Sequence, residues 1–275
     1  MRTAKRLVLW VALVTLVAGP LTAAVAADAP RLAPVLDRIL AKKELVVGTA
    51  ASMPPLNMTL KDGTIAGMEA DLATLMASSL EVKLTLKPIH FNDLLPALEA
   101  GQVDMIISGM TMTPARNARV AFAGPYFASG KSILTKLANA SSLQSSEQAN
   151  RPDVTLAALK GSTSQLFAEK VMPNAKLVLT DDYDQAIAMV LDGKAQAMVA
   201  DFPICLVAVY RYPDKGLTTL QKPLSYEPLG IALPPNDPLL VNWTQNFLTT
   251  MVNSGELELI RKKWFNDASW VEKLR

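Results

Sequence analysis

The stretch VDMIISGMTMTPAR, residues 103–116, sets the frame for the whole chain. Its first half is a short apolar run closed by Ser108 and Gly109, the pattern of a buried strand entering a turn. Its second half places Thr113 before Pro114, a hydroxyl N-cap ahead of a proline in the first helical turn. A strand that hands a polar turn directly to a helix is the repeating unit of α/β folds. Ligands of such folds gather at the carboxyl ends of the strands, and here that end carries Ser108, Gly109, Thr111 and Arg116. A guanidinium can meet a carboxylate with two parallel hydrogen bonds, and N–H groups at a helix start add to them. A solvated arginine beside an ordinary cap would leave the same pattern.

Strand and helix alternate on both sides of this unit. Upstream, ELVVGTA (44–50) and VKLTLKPI (82–89) have strand patterns, and residues 71–80 keep Leu72, Leu75, Met76 and Leu80 at helical spacing. PPLNMTLKDGTIAG (54–67) predicts a hairpin, and NDLLPALEAG (92–101) a helix capped by Asn92. Downstream, KSILTKL (131–137) predicts a strand, followed by the polar, aperiodic ANASSLQSSEQANRPD (138–153), a linker or surface loop. A second set follows: strands at 154–159, 176–180 and 195–200, helices at 165–171 and 183–191, and a helix opened by Asp201-Phe-Pro. EPLGIALP (227–234) predicts a returning strand, with closing helices at 238–255 and 257–265. The fold expected is α/β, in two lobes that are each a mainly parallel sheet flanked by helices. Lobe 1 is assigned to residues 27–137 and 226–275, and lobe 2 to 138–225.

Residues 1–26 have the layout of a secretory signal peptide: a basic start at Arg2, Lys5 and Arg6, an apolar run, and Ala24-Val25-Ala26 as the cleavage site. Its removal takes three positive charges and moves the formal net charge from +2 to −1. That balance gives no footprint for nucleic acid or an anionic membrane. Cys205 is the only cysteine, so no internal disulfide is expected, and its apolar neighbours make it a small buried hydrophobe.

Two further places carry chemistry. In LKGSTSQLF (159–167) the hydroxyls of Ser162 and Thr163 and the N–H groups of the turn could receive an anion, and a plain serine N-cap explains the same residues. Spaced glycines and a Gly-Lys-Ser/Thr ending are missing, so this is no phosphate loop. Asp201 ends the strand AQAMVA either as a cap for the next helix or as a carboxylate suited to an ammonium group.

These residues carry a resemblance. GMTMTPARNARVAFAGPYF (109–127) is similar to the signature of the family 3 extracellular solute-binding proteins, the periplasmic receptors of polar amino-acid ABC importers. LVVGTAASMPPLN, GTIAGMEADLATLMA, LKGSTS, LDGKAQAMVADFP and GELELIRKKWF extend it, in order, over nearly the whole mature chain. The resemblance implies the type II periplasmic-binding-protein fold, a periplasmic monomer, a small carboxylate or amino-acid ligand, and an ABC permease of the inner membrane as partner. It implies no cofactor, metal or catalytic residue. By the same resemblance Gly109, Thr111, Arg116, Ser162 and Thr163 would hold the ligand α-carboxylate, and Asp201 the α-ammonium. The side-chain pocket would fall on Ala50, Met53, Leu56 and Phe91, where the family often has polar and further aromatic residues. Such a wall holds no charge and points to an apolar or broad ligand preference. Gln196 stands where an aspartate is common, outside the cleft.

Two alternatives use the same fold. One is a ligand-sensing receptor. The other is a cyclohexadienyl or arogenate-type dehydratase, which needs a titratable acid aimed into the cleft. Glu69, Asp71, His90 and Glu227 are the candidates, with Glu69 and Asp71 expected as cap and surface residues at a helix start.

Overall fold

The computed structural model describes residues 33–274, so the expected signal peptide lies outside the described residues. Among the described residues thirteen strands are formed. They are β1 (Glu44–Thr49), β2 (Ser52–Met53), β3 (Asn57–Thr59), β4 (Ile65–Ala66), β5 (Lys83–Pro88), β6 (Met105–Ile106) and β7 (Ala121–Ser129), then β8 (Lys131–Lys136), β9 (Thr155–Leu159), β10 (Lys176–Thr180), β11 (Ala197–Asp201), β12 (Leu217–Thr219) and β13 (Glu227–Leu233). Two five-stranded sheets carry the fold, in the orders β5-β1-β6-β13-β7 and β10-β9-β11-β8-β12. In the first, β13 alone runs against the other four; in the second, β8 does. The mainly parallel character follows from helices that return the chain to the same end of each sheet. The predicted hairpin is a small three-stranded sheet, β2-β3-β4.

The chain crosses between the sheets twice, at 129–131 and 220–227. β8 pairs with β11 and β12, so the second sheet begins at Lys131 and not at 138. The polar segment that suggested a boundary there holds two one-turn helices, Leu137–Ala140 and Ser146–Ala149, on the flank of the second lobe. Polarity marked exposure, whereas the boundary is set by strand pairing. The two crossings lie side by side: Lys131 N donates to Ser225 Oγ at 3.0 Å, and Leu224 N donates to the Lys131 carbonyl at 2.7 Å. Gly130 sits at this contact, where a Cβ would fall 2.1 Å from the Ser225 carbonyl oxygen. Gly130→Ala must push the crossing strands apart and is expected to cost about 1–3 kcal/mol, read as a lower Tm of the mature protein.

The helices form where capping and periodicity coincide. Thr113 accepts a hydrogen bond from Arg116 N and opens Pro114–Asn117, as its sequence predicts. Asp237 accepts from Leu240 N and opens Pro238–Asn253, and its other oxygen takes Val35 N and Leu36 N from the first helix. Asn92 caps nothing; it lies inside a 3-10 turn, Phe91–Asp93, that leads into the helix Leu94–Glu99. Three apolar clusters result. One fills the first lobe around Leu45, Met68, Met76 and Ile231, and one the second lobe around Ile133, Leu156 and Val199. The third spans both lobes, joining Met53, Phe91 and Ile106 to Leu159, Tyr183 and Ile204. Cys205 belongs to this third cluster, and burial pushes its thiol up to about 12. It is the inert hydrophobe that the sequence suggests.

Candidate functional site

β6 runs through Ile107 into the turn at Ser108, which anchors its own neighbourhood: Ser108 Oγ accepts from Ala50 N at 2.8 Å. Gly109 has φ 57°, a conformation open to glycine, and a Cβ there would lie 2.7 Å from Met53 Cε. The Gly109 N–H was expected to be available to a ligand; it donates instead to Glu69 Oε1 at 2.7 Å. Glu69 also accepts from Asn57 Nδ2 at 2.6 Å and from the Tyr126 hydroxyl. It is 1% exposed, so it is no surface residue, and burial raises its pKa against the pull of these three donors. One-turn periodicity could not reveal this, because Glu69 faces inward only through donors on the hairpin, the turn and β7.

Arg116 lies at the centre of the site, buried, with its guanidinium 5.5 Å above the Phe91 ring. Its Nη1 donates to the Thr111 carbonyl at 3.0 Å, and its Nη2 crosses to the second lobe and donates to the Gly161 carbonyl at 3.1 Å. Thr111 Oγ1 and Thr163 Oγ1 lie 3.2 Å apart across the same gap. The lobes therefore meet at the residues assigned to the carboxylate. Burial lowers the Arg116 pKa, and the fields of Glu227 and Asp201 oppose that shift. Among the described residues no carboxylate comes within salt-bridge distance of Arg116. A buried cation bonded to carbonyls alone is poised for an anion.

Ser162 is different. Its hydroxyl donates to the Leu159 carbonyl and accepts from Ser164 N and Gln165 N. The cap consumes it, so a Ser162 contribution to a carboxylate cannot come from the side chain. Asp201 shows the reverse. The helix Phe202–Arg211 starts after it without a side-chain cap bond, and its Oδ1 accepts from Lys131 Nζ at 2.9 Å and Ser129 Oγ at 3.3 Å. Lys131 Nζ also lies 3.7 Å from Glu227 Oε2. Lys131 is 1% exposed and directly opposite Asp201 in the β8–β11 pairing. Sequence reasoning missed Lys131 altogether, because its burial depends on that nonlocal pairing. It also placed Glu227 only among candidate acids.

The expected side-chain wall is brought together in part. Met53 and Phe91 share the cluster that spans the lobes, with Ala50 packed beside them. Leu56 reaches towards Gly109 but belongs to the first-lobe core with Met58 and Met68, because its loop turns inward there. Tyr183 OH and Ser164 Oγ are buried near one another, and burial above all raises the Tyr183 pKa, with Asp201 adding to that rise and Arg116 opposing it. Ser164 belongs to the LKGSTSQLF turn, whereas no local motif marked Tyr183. A cavity of about 160 Å³ opens between the lobes, lined by Ala51 and Ser52 on one side and Asp182, Asp184 and Arg211 on the other. Larger cavities, about 430 and 510 Å³, lie beside Arg38 and beneath β12, and neither is lined by Arg116, Thr111, Thr163 or Asp201.

Two α/β lobes joined by a double crossing, with buried charges where they meet, define a two-lobed binding-protein fold. The chain belongs to the bacterial extracellular solute-binding proteins, family 3, whose pattern matches residues 45–267. It is similar to cyclohexadienyl dehydratase of Pseudomonas aeruginosa, with 26% identity covering 83% of this chain and 85% of that one. It is 30% identical to an ABC transporter glutamine-binding protein of Bacillus subtilis over 74% of each chain. Among solved structures it resembles an ancestral amino acid-binding protein described as a precursor of cyclohexadienyl dehydratase. That match has 36% identity and a TM-score of 0.78, over 84% of this chain and 99% of the other. It also resembles a putative ABC-transporter binding component of Wolinella succinogenes complexed with lysine. There the identity is 35% and the TM-score 0.80, over 84% and 100%. Among the described residues no helix is long and apolar enough to cross a membrane.

Proposed function

We propose that the protein captures an amino acid or related small carboxylate between its lobes and presents the closed form to an ABC importer. The observation that carries this is Arg116: a buried guanidinium at a strand end, bonded to a carbonyl of each lobe and to no carboxylate. A ligand carboxylate there, with Thr111 and Thr163 beside it, would add bonds that only closed lobes can make, which is how a ligand shifts an open–closed equilibrium. In this reading Asp201, whose field acts on Arg116 and whose carboxylate is bonded to Lys131, is the partner for an α-ammonium. The lobes of this reading are residues up to 129 with 227–274, and 131–225. A cleaved signal peptide, a periplasmic location, a monomeric state and an inner-membrane permease complete it.

Catalysis is the weaker reading. Glu69 is bonded by three donors, Asp71 accepts from Trp264 Nε1 and Lys263, His90 is exposed, and Glu227 is held by Lys131 and Ser225. None of the four stands as a free acid in the cleft.

A bound ligand raises Tm by mass action, by about 2.7 kcal/mol of stability at a hundredfold excess over Kd. The mature protein is expected to gain Tm with at least one α-amino acid in a thermal-shift panel. If no amino acid or related carboxylate moves it, the reading fails. Turnover of prephenate or arogenate by the same sample would turn the assignment to the dehydratase.

A further inference from the structure

Four charged side chains are buried where the lobes meet: Arg116 at 8% exposure, Lys131 at 1%, Asp201 at 3% and Glu227 at 8%. Two are cations and two are anions. Three of the four are tied together, because Lys131 Nζ lies 2.9 Å from Asp201 and 3.7 Å from Glu227. The tie is built into the backbone. Lys131 faces Asp201 across β8 and β11, and Glu227 faces Ser129 across β13 and β7, one step from the crossing. A lysine side chain ends in a primary ammonium, the same group that an amino acid carries on its α-carbon or at the end of a basic side chain. Half of the negative charge that such a ligand could use is therefore already neutralised from within.

We infer that Lys131 is an internal counter-cation that restricts the cleft to amino acids with uncharged side chains and excludes lysine- and arginine-like ligands. The inference rests on the amino-acid reading of the cleft and deepens it. A neutral amino acid brings one charge of each sign. Its carboxylate goes to Arg116, its ammonium shares Asp201 and Glu227 with Lys131, and the buried charges stay balanced. A basic ligand brings one cation more and finds no unshared carboxylate beside Arg116 and Lys131 to meet it. Glu69 is committed to Asn57, Gly109 and Tyr126. At the rim, Asp182 accepts from Gln185 and Asp184 is paired with Arg211 at 2.5 Å. An unpaired charge in a desolvated site is strongly disfavoured, and like charges brought together add to the penalty. An acidic side chain meets the same imbalance with the sign reversed. The wall of Met53 and Phe91 offers no polar group to relieve either case.

The test is calorimetry of the mature protein against methionine, leucine, glutamate, lysine and arginine. Wild type is expected to bind methionine or leucine at least tenfold more tightly than lysine or arginine. Lys131→Gln leaves Asp201 and Glu227 uncompensated and should move that ratio at least tenfold towards the basic ligands. Glu227→Gln leaves an excess cation and should move it away from them and towards glutamate, and it serves on its own if Lys131→Gln does not fold. Equal affinity of wild type for lysine and methionine overturns the inference, as does an unmoved ratio in the folded variants. Wild type that binds no amino acid at all overturns the cleft reading as well, so the two failures are distinguishable.

Discussion

Arg116→Ala is expected to weaken binding of the wild-type ligand by about 100-fold or more in calorimetry, with the folded state retained. Three features make the effect large. The guanidinium is desolvated, so its attraction for a carboxylate is little screened. Its two bonds to Thr111 and Gly161 fix the fork before ligand arrives, which removes an ordering cost from binding. The Phe91 face below it holds the plane. Truncation also takes the donor from the Gly161 carbonyl, so the contact between lobes weakens and the open state gains population. Arg116→Lys keeps the charge but loses the fork, and its affinity should fall between the two. An Arg116→Ala protein that is folded and binds as wild type does would sink the carboxylate assignment.

Glu69→Ala should be the most damaging of the single changes for stability. It strands the Gly109 N–H, the Asn57 amide and the Tyr126 hydroxyl, all buried. The expected loss is about 3–5 kcal/mol, as for a broken buried polar network, and a Tm fall on the order of 10 °C. Glu69→Gln keeps one acceptor and should lose less. A pH signature separates the charge from the packing. Burial raises the folded pKa of Glu69, so the folded state holds its proton more tightly than the unfolded chain. The contribution of that shift to stability is fully present below the usual carboxylate range and is lost as pH rises through the raised value. Denaturation of wild type and Glu69→Gln across that window should show wild type losing ground to the variant with rising pH. A constant difference would show that Glu69 does not titrate with folding.

The fold was legible wherever a local rule acts alone. Thr113-Pro114 gave a helix start, Tyr183–Leu191 a periodic helix, and Glu227–Leu233 a strand. The candidate site was legible only as far as residue types and order. Arg116, Thr111 and Thr163 meet across the gap between the lobes, and Asp201 acts on Arg116 through its field; the ligand roles given to them belong to the proposed function. What failed concerns which bonds each group has already made. Gly109 looked free because its partner, Glu69, competes through geometry that a sequence does not display, whereas the cap reading of Ser162 is the one the structure bears out. Lys131 looked like one polar residue at the start of a strand. Its neighbours Asp201 and Glu227 are 70 and 96 positions away, and only the crossing of two strands unites them.

That crossing also orders events in time. β13 lies between β6 and β7, yet it is made of residues 227–233, whereas every strand of the second sheet lies within residues 131–219. A chain that emerges from its amino end thus completes the second sheet while the first still has a gap in its middle. Until the last segment arrives, β6 and β7 present unpaired edges and an uncovered apolar face, the features that invite wrong partners during folding. The half that holds Arg116 is finished last, so the ability to bind should appear only when the whole chain is in place.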